Sequence, residues 1–311
     1  MIALLLLACT PLPADTGVVE YGASPTDSGP GGPLRWQAVA VGYQQACAVT
    51  TDGDLRCWGN PTPDTYGRTM DVLSAYAPRG KFTAVSMSAE WSDHFSEPAC
   101  ALAADGSVRC WGEYSAAIPG PMLNFEAGYS FSCGVQRDDG SVYCYAPEED
   151  DRLDRLAALP PLVSLRILGN EVAGVTRDGE LVTRTIRPAR VALRVRPPDG
   201  PWRAVVPTPW WGYCGLRTTG ELRCWPRSVA VDPTWVQSPP SGTYTDFCYG
   251  GFGCAIGTDG RVVCWGDERV EAPSGTFTAI ACGYASACGV TTGGELSCWG
   301  DCAFGVCDGP E

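Results

Sequence analysis

The chain has a single histidine, His94, in 311 residues. One imidazole excludes a multi-histidine metal centre. A hydrolytic triad would need His94 beside both a nucleophile and an acid. Asp93 and Glu97 are local, but no nucleophile motif accompanies them, so His94 reads as a solvated loop residue. Basic residues are also scarce: 22 Lys and Arg stand against 35 Asp and Glu, a net charge of −13. That balance excludes the electrostatic footprint for nucleic acid or anionic lipid. The acidic run Glu148, Glu149, Asp150 and Asp151 reads as a solvated loop. No CxxC pair occurs, so structural zinc is not expected, and nothing points to a cofactor. No long helical period stands out; DRLDRLAAL, residues 151–159, is the best helix candidate. The apolar start, MIALLLLAC, falls far short of the ~20 residues that span a bilayer.

Cysteine, glycine and tryptophan are plentiful, at 17, 38 and 11 residues. Twelve of the cysteines and five of the tryptophans belong to one pattern present seven times. The copies are Cys47–Gly59 (CAVTTDGDLRCWG), Cys100–Gly112, Cys133–Tyr145, Ala173–Thr183, Cys214–Trp225, Cys254–Gly266 and Cys288–Gly300. A period of about 39 residues means a supersecondary unit stacked many times. Each unit opens on an alternating, often aromatic stretch such as WQAVAVG or FTAIACG, which reads as a strand. A loop follows, then a hairpin whose three-residue turn ends in Gly, as in Thr51-Asp52-Gly53. That turn pairs Val49 with Leu55 and sets Cys47 opposite Cys57, close enough to be bridged.

The fourth unit keeps the turn Arg177-Asp178-Gly179 but has Ala173 and Thr183 at both cysteine positions. Joint loss favours disulfides over independently buried thiols. The expected hairpin pairs are Cys47–Cys57, Cys100–Cys110, Cys133–Cys144, Cys214–Cys224, Cys254–Cys264 and Cys288–Cys298. Cys302 and Cys307, in the terminal loop DCAFGVCD, close on each other. Cys248 and Cys282 each lie six residues before the first hairpin cysteine of their unit. Packed sheets sit ~10 Å apart, so these two are expected as separate buried small hydrophobes.

Leu6-Leu7-Ala8-Cys9 resembles a bacterial lipoprotein signal, with Cys9 as the acylated residue; a chance apolar start is the alternative. No Lys or Arg precedes the apolar run. Residues 10–35 are rich in Pro, Gly, Asp, Ser and Thr and read as a flexible tether. Val18-Val19-Glu20-Tyr21 within it is an alternative closing strand for the last unit. The organisation expected is signal 1–9, tether 10–35 and one repeat domain 36–311. Export fits the paired cysteines independently.

The unit F-T-x-[VI]-x-x-G…C-x-[VL]-x-x-D-G-x-[VL]-x-C-W-G resembles the repeat of the regulator-of-chromosome-condensation family, in its cysteine-containing bacterial form. The resemblance covers Trp36 to Gly300. It implies an all-β, seven-bladed propeller with about one four-stranded blade per repeat, similar in fold to the β-lactamase inhibitory protein of the second type. The family often has His two residues before the first hairpin cysteine; here Gln45, Pro98, Phe131, Glu171, Gly212, Phe252 and Ser286 stand there. Neither the nucleotide-exchange activity of eukaryotic members nor their basic tail carries over to residues of this chain.

Aromatics recur in the loop before the hairpin. Tyr43, Tyr129, Trp210 and Tyr284 hold one position in units one, three, five and seven, and Trp91, Phe95, Phe131, Trp211, Tyr249 and Phe252 share the equivalent loops. Equivalent propeller loops emerge on one side, and Tyr and Trp anchor interfaces. The expected ligand-binding residues are Tyr43, Trp91, Tyr129, Trp210, Trp211, Tyr249 and Tyr284. The function expected is a monomeric, non-enzymatic binding module at the bacterial cell envelope, recognising a protein or glycan. The alternative is an exported lyase or glycosidase on the same scaffold, which a polar cluster with perturbed carboxylates in the channel would favour.

Overall fold

The computed structural model describes residues 34–59, 73, 76–89, 98–112, 115–128, 130–146, 156, 158–185, 197–209, 212–232, 236–267 and 270–310. Cys9, residues 10–33 of the tether and with them the Val18–Tyr21 segment lie outside, as do His94, Phe95, Trp91, Tyr129, Trp210, Trp211 and the acidic run at 148–151.

Seven antiparallel sheets follow one another along the chain. Blade 1 is β1 (Trp36–Val41), β2 (Ala46–Thr50) and β3 (Leu55–Trp58); blade 2 is β4 (Phe82–Met87), β5 (Ala99–Ala103), β6 (Val108–Trp111) and β7 (Ala116–Ile118). Blade 3 is β8 (Met122–Ala127), β9 (Ser132–Gln136) and β10 (Val142–Tyr145); blade 4 is β11 (Leu162–Leu168), β12 (Glu171–Thr176) and β13 (Leu181–Thr185). Blade 5 is β14 (Trp202–Pro207), β15 (Gly212–Arg217) and β16 (Leu222–Pro226). Blade 6 is β17 (Tyr244–Tyr249), β18 (Gly253–Gly257) and β19 (Val262–Trp265), and blade 7 is β20 (Phe277–Cys282), β21 (Ser286–Thr291) and β22 (Leu296–Gly300). A fourth strand was expected in every blade; among the described residues only blade 2 has one.

Each hairpin turn joins two blades. The turn glycines Gly53, Gly106, Gly140, Gly179, Gly220, Gly260 and Gly294 all have φ between 76° and 89°, a region glycine enters without steric cost. In that conformation each carbonyl points at the next blade. Phe82, Met122, Leu162, Trp202, Tyr244 and Phe277 donate their amides to the first six in turn, at 2.8–2.9 Å. The seventh bond closes the ring, with the Trp36 amide donating to Gly294 O at 2.8 Å.

Every inner strand carries a register shift after its first residue, as between Trp36 and Ala38 or Tyr244 and Asp246. Such a bulge interrupts the strict alternation of side chains. The first, fourth and sixth residues then pack between blades, as the burial of Trp36, Val39 and Val41 shows. Each blade boundary has its own apolar core. One joins Cys47 and Val49 of blade 1 to Phe82 and Trp111 of blade 2. Another joins Cys288 and Val290 of blade 7 to Trp36, Val41 and Trp58 of blade 1. Within one hairpin the cystine therefore faces the next blade and the following Trp faces the previous one, as adjacent strand residues must. Trp58, Trp111, Trp265 and Trp299 are all buried.

The seam between blades 7 and 1 has an added clasp. The 3-10 segment Ala303–Asp308 follows β22 directly, and its Val306 is buried in the seam core. The Trp58 indole N–H donates to Val306 O at 2.7 Å, and the Cys302–Cys307 disulfide cinches the segment.

All six hairpin disulfides form as the register requires, with Cα–Cα distances of 4.0–4.1 Å. Ala173 and Thr183 occupy the same paired position in blade 4. Cys248 and Cys282 depart from expectation: they are bonded to each other, with Cα atoms 5.4 Å apart. The ~10 Å spacing of packed sheets does not hold here, because inner strands converge towards the axis. The two positions are also not equivalent. Cys248 pairs with Cys254, whereas Ala281, not Cys282, pairs with Cys288. The loop between β17 and β18 is one residue short, and a one-residue offset turns a strand side chain to the opposite face. Cys248 and Cys282 thus point at each other across the blade 6–7 boundary. With its cysteines 34 positions apart in sequence, this bridge closes the longest loop of the eight, an entropic contribution of about 4 kcal/mol.

Eight bridges leave Cys9 as the one cysteine outside the pairs. Denaturing alkylation without reductant, read by intact mass, is expected to label none of the sixteen bonded cysteines, Cys248 and Cys282 included. Labelling of those two alone would restore the reading as separate buried thiols.

Candidate functional site

Two places on the ring carry residue types suited to recognition: the loops joining the first and second strands of each blade, and the axial channel. In the loops, Tyr43 and Tyr284 meet edge to face at 5.3 Å, and Phe304 of the clasp lies 6.1 Å from Tyr43. Phe304 is held at φ 68°, rare for a non-glycine residue, inside the Cys302–Cys307 loop. All three rings are half-buried. Tyr249 sits edge-on to Trp265 at 6.0 Å, and burial pushes its phenol pKa up. Phe131 and Phe252 belong to blade-boundary cores and are absent from this face. Backbones of the blade 6, 7 and 1 loops touch at the channel mouth. A Cβ on Gly283 would overlap Gly42 O, and one on Gly250 would overlap Gly283 O. The Gly251 amide donates to Gly283 O at 3.1 Å. The structure therefore brings Tyr43 and Tyr284 together with Phe304, a ring that periodicity had not singled out. Tyr249 is placed in the next equivalent loop, and the remaining four expected residues lie outside the described ones.

The channel is a cavity of about 270 Å³ walled by the first strands of all seven blades. Its side chains come from the third and fifth residues of those strands. In most blades these are small, as with Ala40, Ala84 and Ala281. Blades 3, 4 and 6 instead supply Asn124, Glu126, Arg166 and Asp246. Comparing MLNFEA, LVSLRIL and YTDFCY with WQAVAV or FTAIAC displays the same anomaly in sequence, at positions otherwise held by alanine or other small residues.

The cluster is built across strands. Arg166 lies 3.3 Å from Glu126 Oε2 through Nη1, and the same nitrogen donates to Leu165 O at 3.1 Å. Asn124 Oδ1 accepts the Leu165 amide at 2.8 Å, and Ser86 Oγ accepts the Ala127 amide at 3.1 Å. Burial pushes the Glu126 carboxyl up to about 7, against the opposing pull of Arg166 and Ser86. Burial also raises Asp246, whose Oδ1 accepts the Phe247 amide at 2.9 Å; Arg166 and Arg203 act on it only from a distance. No group of three or more metal-ligating side chains occurs among the described residues.

A carboxyl whose pKa is raised by folding keeps a proton that the unfolded chain releases. Stability is therefore lost as pH climbs from the ordinary glutamate value to about 7. The loss ascribable to Glu126 is about 3 kcal/mol across that window. Glu126→Gln removes it, so chemical denaturation from pH 5 to 8 should show a shallower fall in the variant. An equally steep fall would assign the effect elsewhere.

Residues 36–67 match the model of the regulator of chromosome condensation (RCC1) repeat. No curated protein matches the sequence. Among solved structures, the CRINKLY WD40 ectodomain of the receptor kinase ACR4 from Arabidopsis thaliana superposes with a TM-score of 0.60 at 19% identity, covering 88% of this chain and 97% of that one. The ectodomain of the receptor kinase CR4 from Physcomitrella patens scores 0.59 at 18% identity, covering 86% and 73%. Prp20p from Saccharomyces cerevisiae scores 0.46 at 17%, covering 88% and 74%. At these identities the likeness is one of fold. The matched segment is the first of seven units that share its turn and hairpin register, and the chain is a seven-bladed β-propeller whose first unit matches the regulator-of-chromosome-condensation repeat.

Proposed function

We propose that the chain is an exported, lipid-anchored binding module that recognises a protein partner through the first-to-second-strand loops. The observation that carries this is the fixed aromatic platform of Tyr43, Tyr284 and Phe304. Its loops are locked by backbone contact, and Phe304 by a disulfide. Rings held in place before binding lose little conformational freedom on contact, which is how pre-organised interfaces gain affinity. Trp91, Tyr129, Trp210, Trp211 and Tyr249, from equivalent loops, would extend the platform around the rim. Eight disulfides fit an oxidising compartment. No helix among the described residues is long and apolar enough to cross a membrane, so retention at the envelope would rest on Cys9.

A second reading, an exported enzyme, is favoured by one specific observation: the raised carboxyls of Glu126 and Asp246 converge beside Arg166 in the channel. The two readings use different parts of the ring and separate experimentally.

Trp91→Ala and Trp210→Ala are expected to weaken capture of the partner by about 2 kcal/mol or more, while shifting stability by about 0.5 kcal/mol or less. Trp58→Ala, in the blade 1–7 core, should cost ~3–5 kcal/mol of stability. Partner capture from the native envelope, with thermal melting of each variant, makes the comparison. Loop variants that melt like Trp58→Ala would show packing rather than recognition. For the anchor, Cys9→Ser should abolish lipid labelling and membrane retention in a bacterial host; unchanged retention refutes it.

A further inference from the structure

We propose that the Cys302–Cys307 disulfide is a redox switch. A small dithiol opens it ahead of the other seven bridges, and its opening undocks the clasp from the seam between blades 7 and 1. The inference stands whether or not the loop platform binds a partner.

This bridge differs from the rest in two ways. Cys302 is the only exposed cysteine of the sixteen bonded ones, and its partner Cys307 is half-buried. Each of the other seven bridges has at least one buried cysteine, as Cys47 in the first hairpin and Cys282 between blades 6 and 7. Thiol exchange depends on access of the attacking thiolate to the sulfur, and exposed bridges are the labile ones. The second difference is what remains once the bond is cut. A hairpin cystine joins residues that the ladder already sets opposite each other, as Cys47 opposite Cys57. Thiols held face to face keep a high effective concentration and close again. Cys302 and Cys307 flank and end a 3-10 segment outside every strand, so no ladder holds them together.

The bridge is coupled to two contacts inside the loop it closes. Val306 is buried in the seam core, and its carbonyl accepts the Trp58 indole N–H at 2.7 Å. Phe304 packs 6.1 Å from Tyr43 at a φ of 68°, a conformation disfavoured for any residue with a Cβ. The closed bridge therefore holds a loop that its own backbone preference opposes. In the opening step a thiolate of the dithiol bonds to the Cys302 sulfur. The S–S bond breaks, and Cys307 leaves with the electron pair and takes up a proton. The second thiol of the reagent then displaces Cys302, which is protonated in turn. The reagent ends as a cyclic disulfide, and the protein has gained two electrons and two protons. Phe304 then relaxes out of the left-handed region, Val306 leaves the seam, and the Trp58 N–H loses its acceptor. Ring closure itself persists, because the Trp36 amide bonds to Gly294 O away from the clasp.

The test treats the full oxidised chain with dithiothreitol, without denaturant, and quenches with iodoacetamide for peptide mass mapping. Cys302 and Cys307 are expected to be alkylated about tenfold or more faster than any other pair. In protein reduced at this pair alone, solvent exchange of the Trp58 indole N–H, followed by NMR, is expected to accelerate by about tenfold or more. The Trp111 indole N–H donates to Leu73 O at 3.1 Å, away from the clasp, and its exchange should not change. Cys302→Ser combined with Cys307→Ser should reproduce the fast Trp58 exchange without reductant. Reduction of a hairpin bridge or of Cys248–Cys282 as fast as this one would overturn the proposal. So would reduced protein, or the double variant, whose Trp58 N–H exchanges as slowly as in the oxidised chain. Acceleration of Trp58 and Trp111 together, or a double variant that fails to fold, would also overturn it, making the bridge a support of the whole ring rather than a switch.

Discussion

The bond from each turn-glycine carbonyl to the first amide of the next blade is the constraint on which the ring depends. It couples local conformation to global geometry. The glycine must be left-handed for the hairpin to close, and in that state its carbonyl faces outward, towards the following strand. A single turn chemistry, repeated seven times, therefore folds each blade and also fixes its distance from the next. The disulfides and tryptophans act within that frame. The cystine stiffens the hairpin and packs forward, and the Trp packs backward, so the boundaries between blades 1 and 2, 5 and 6, 6 and 7, and 7 and 1 receive both. Blade 4 lacks the cystine but keeps Gly179 and its bond to Trp202. The turn bond is thus more general in this ring than the disulfide.

Sequence spacing made most of this legible. The three-residue turn sets the cysteine register, and joint loss at Ala173 and Thr183 identifies the bond. Two features escaped for definable reasons. The Cys248–Cys282 bridge depends on a one-residue shortening of the loop before β18, which reverses the direction of one side chain relative to its apparent counterpart. Counting back from the hairpin cysteines concealed that offset. The channel cluster escaped because Asn124, Glu126, Arg166 and Asp246 lie in three separate repeats and meet only when seven strands converge. Their signal was present as polar residues at positions that other units fill with alanine. Aromatic periodicity, by contrast, could identify Tyr43 and Tyr284 but not Phe304, which comes from a terminal segment outside the repeat.

The ring concentrates its chemistry asymmetrically. Blades 6, 7 and 1 carry the extra bridge, the touching loop backbones and the clasp. Blades 3, 4 and 6 supply the polar residues of the channel. Near-identical repeats set the scaffold, and departures from the repeat supply the chemistry that distinguishes one part of the ring from another. Degenerate positions in a repeat protein are therefore as informative as the consensus.

The central claim is that seven equivalent turn bonds close one continuous ring, seam included. Native-state hydrogen exchange of the seven first-strand amides tests it most directly. If the seam is a boundary like the other six, the Trp36 amide exchanges as slowly as those of Phe82, Met122, Leu162, Trp202, Tyr244 and Phe277. A Trp36 amide that exchanges orders of magnitude faster than the rest would show a ring open between blades 7 and 1, and would contradict the account.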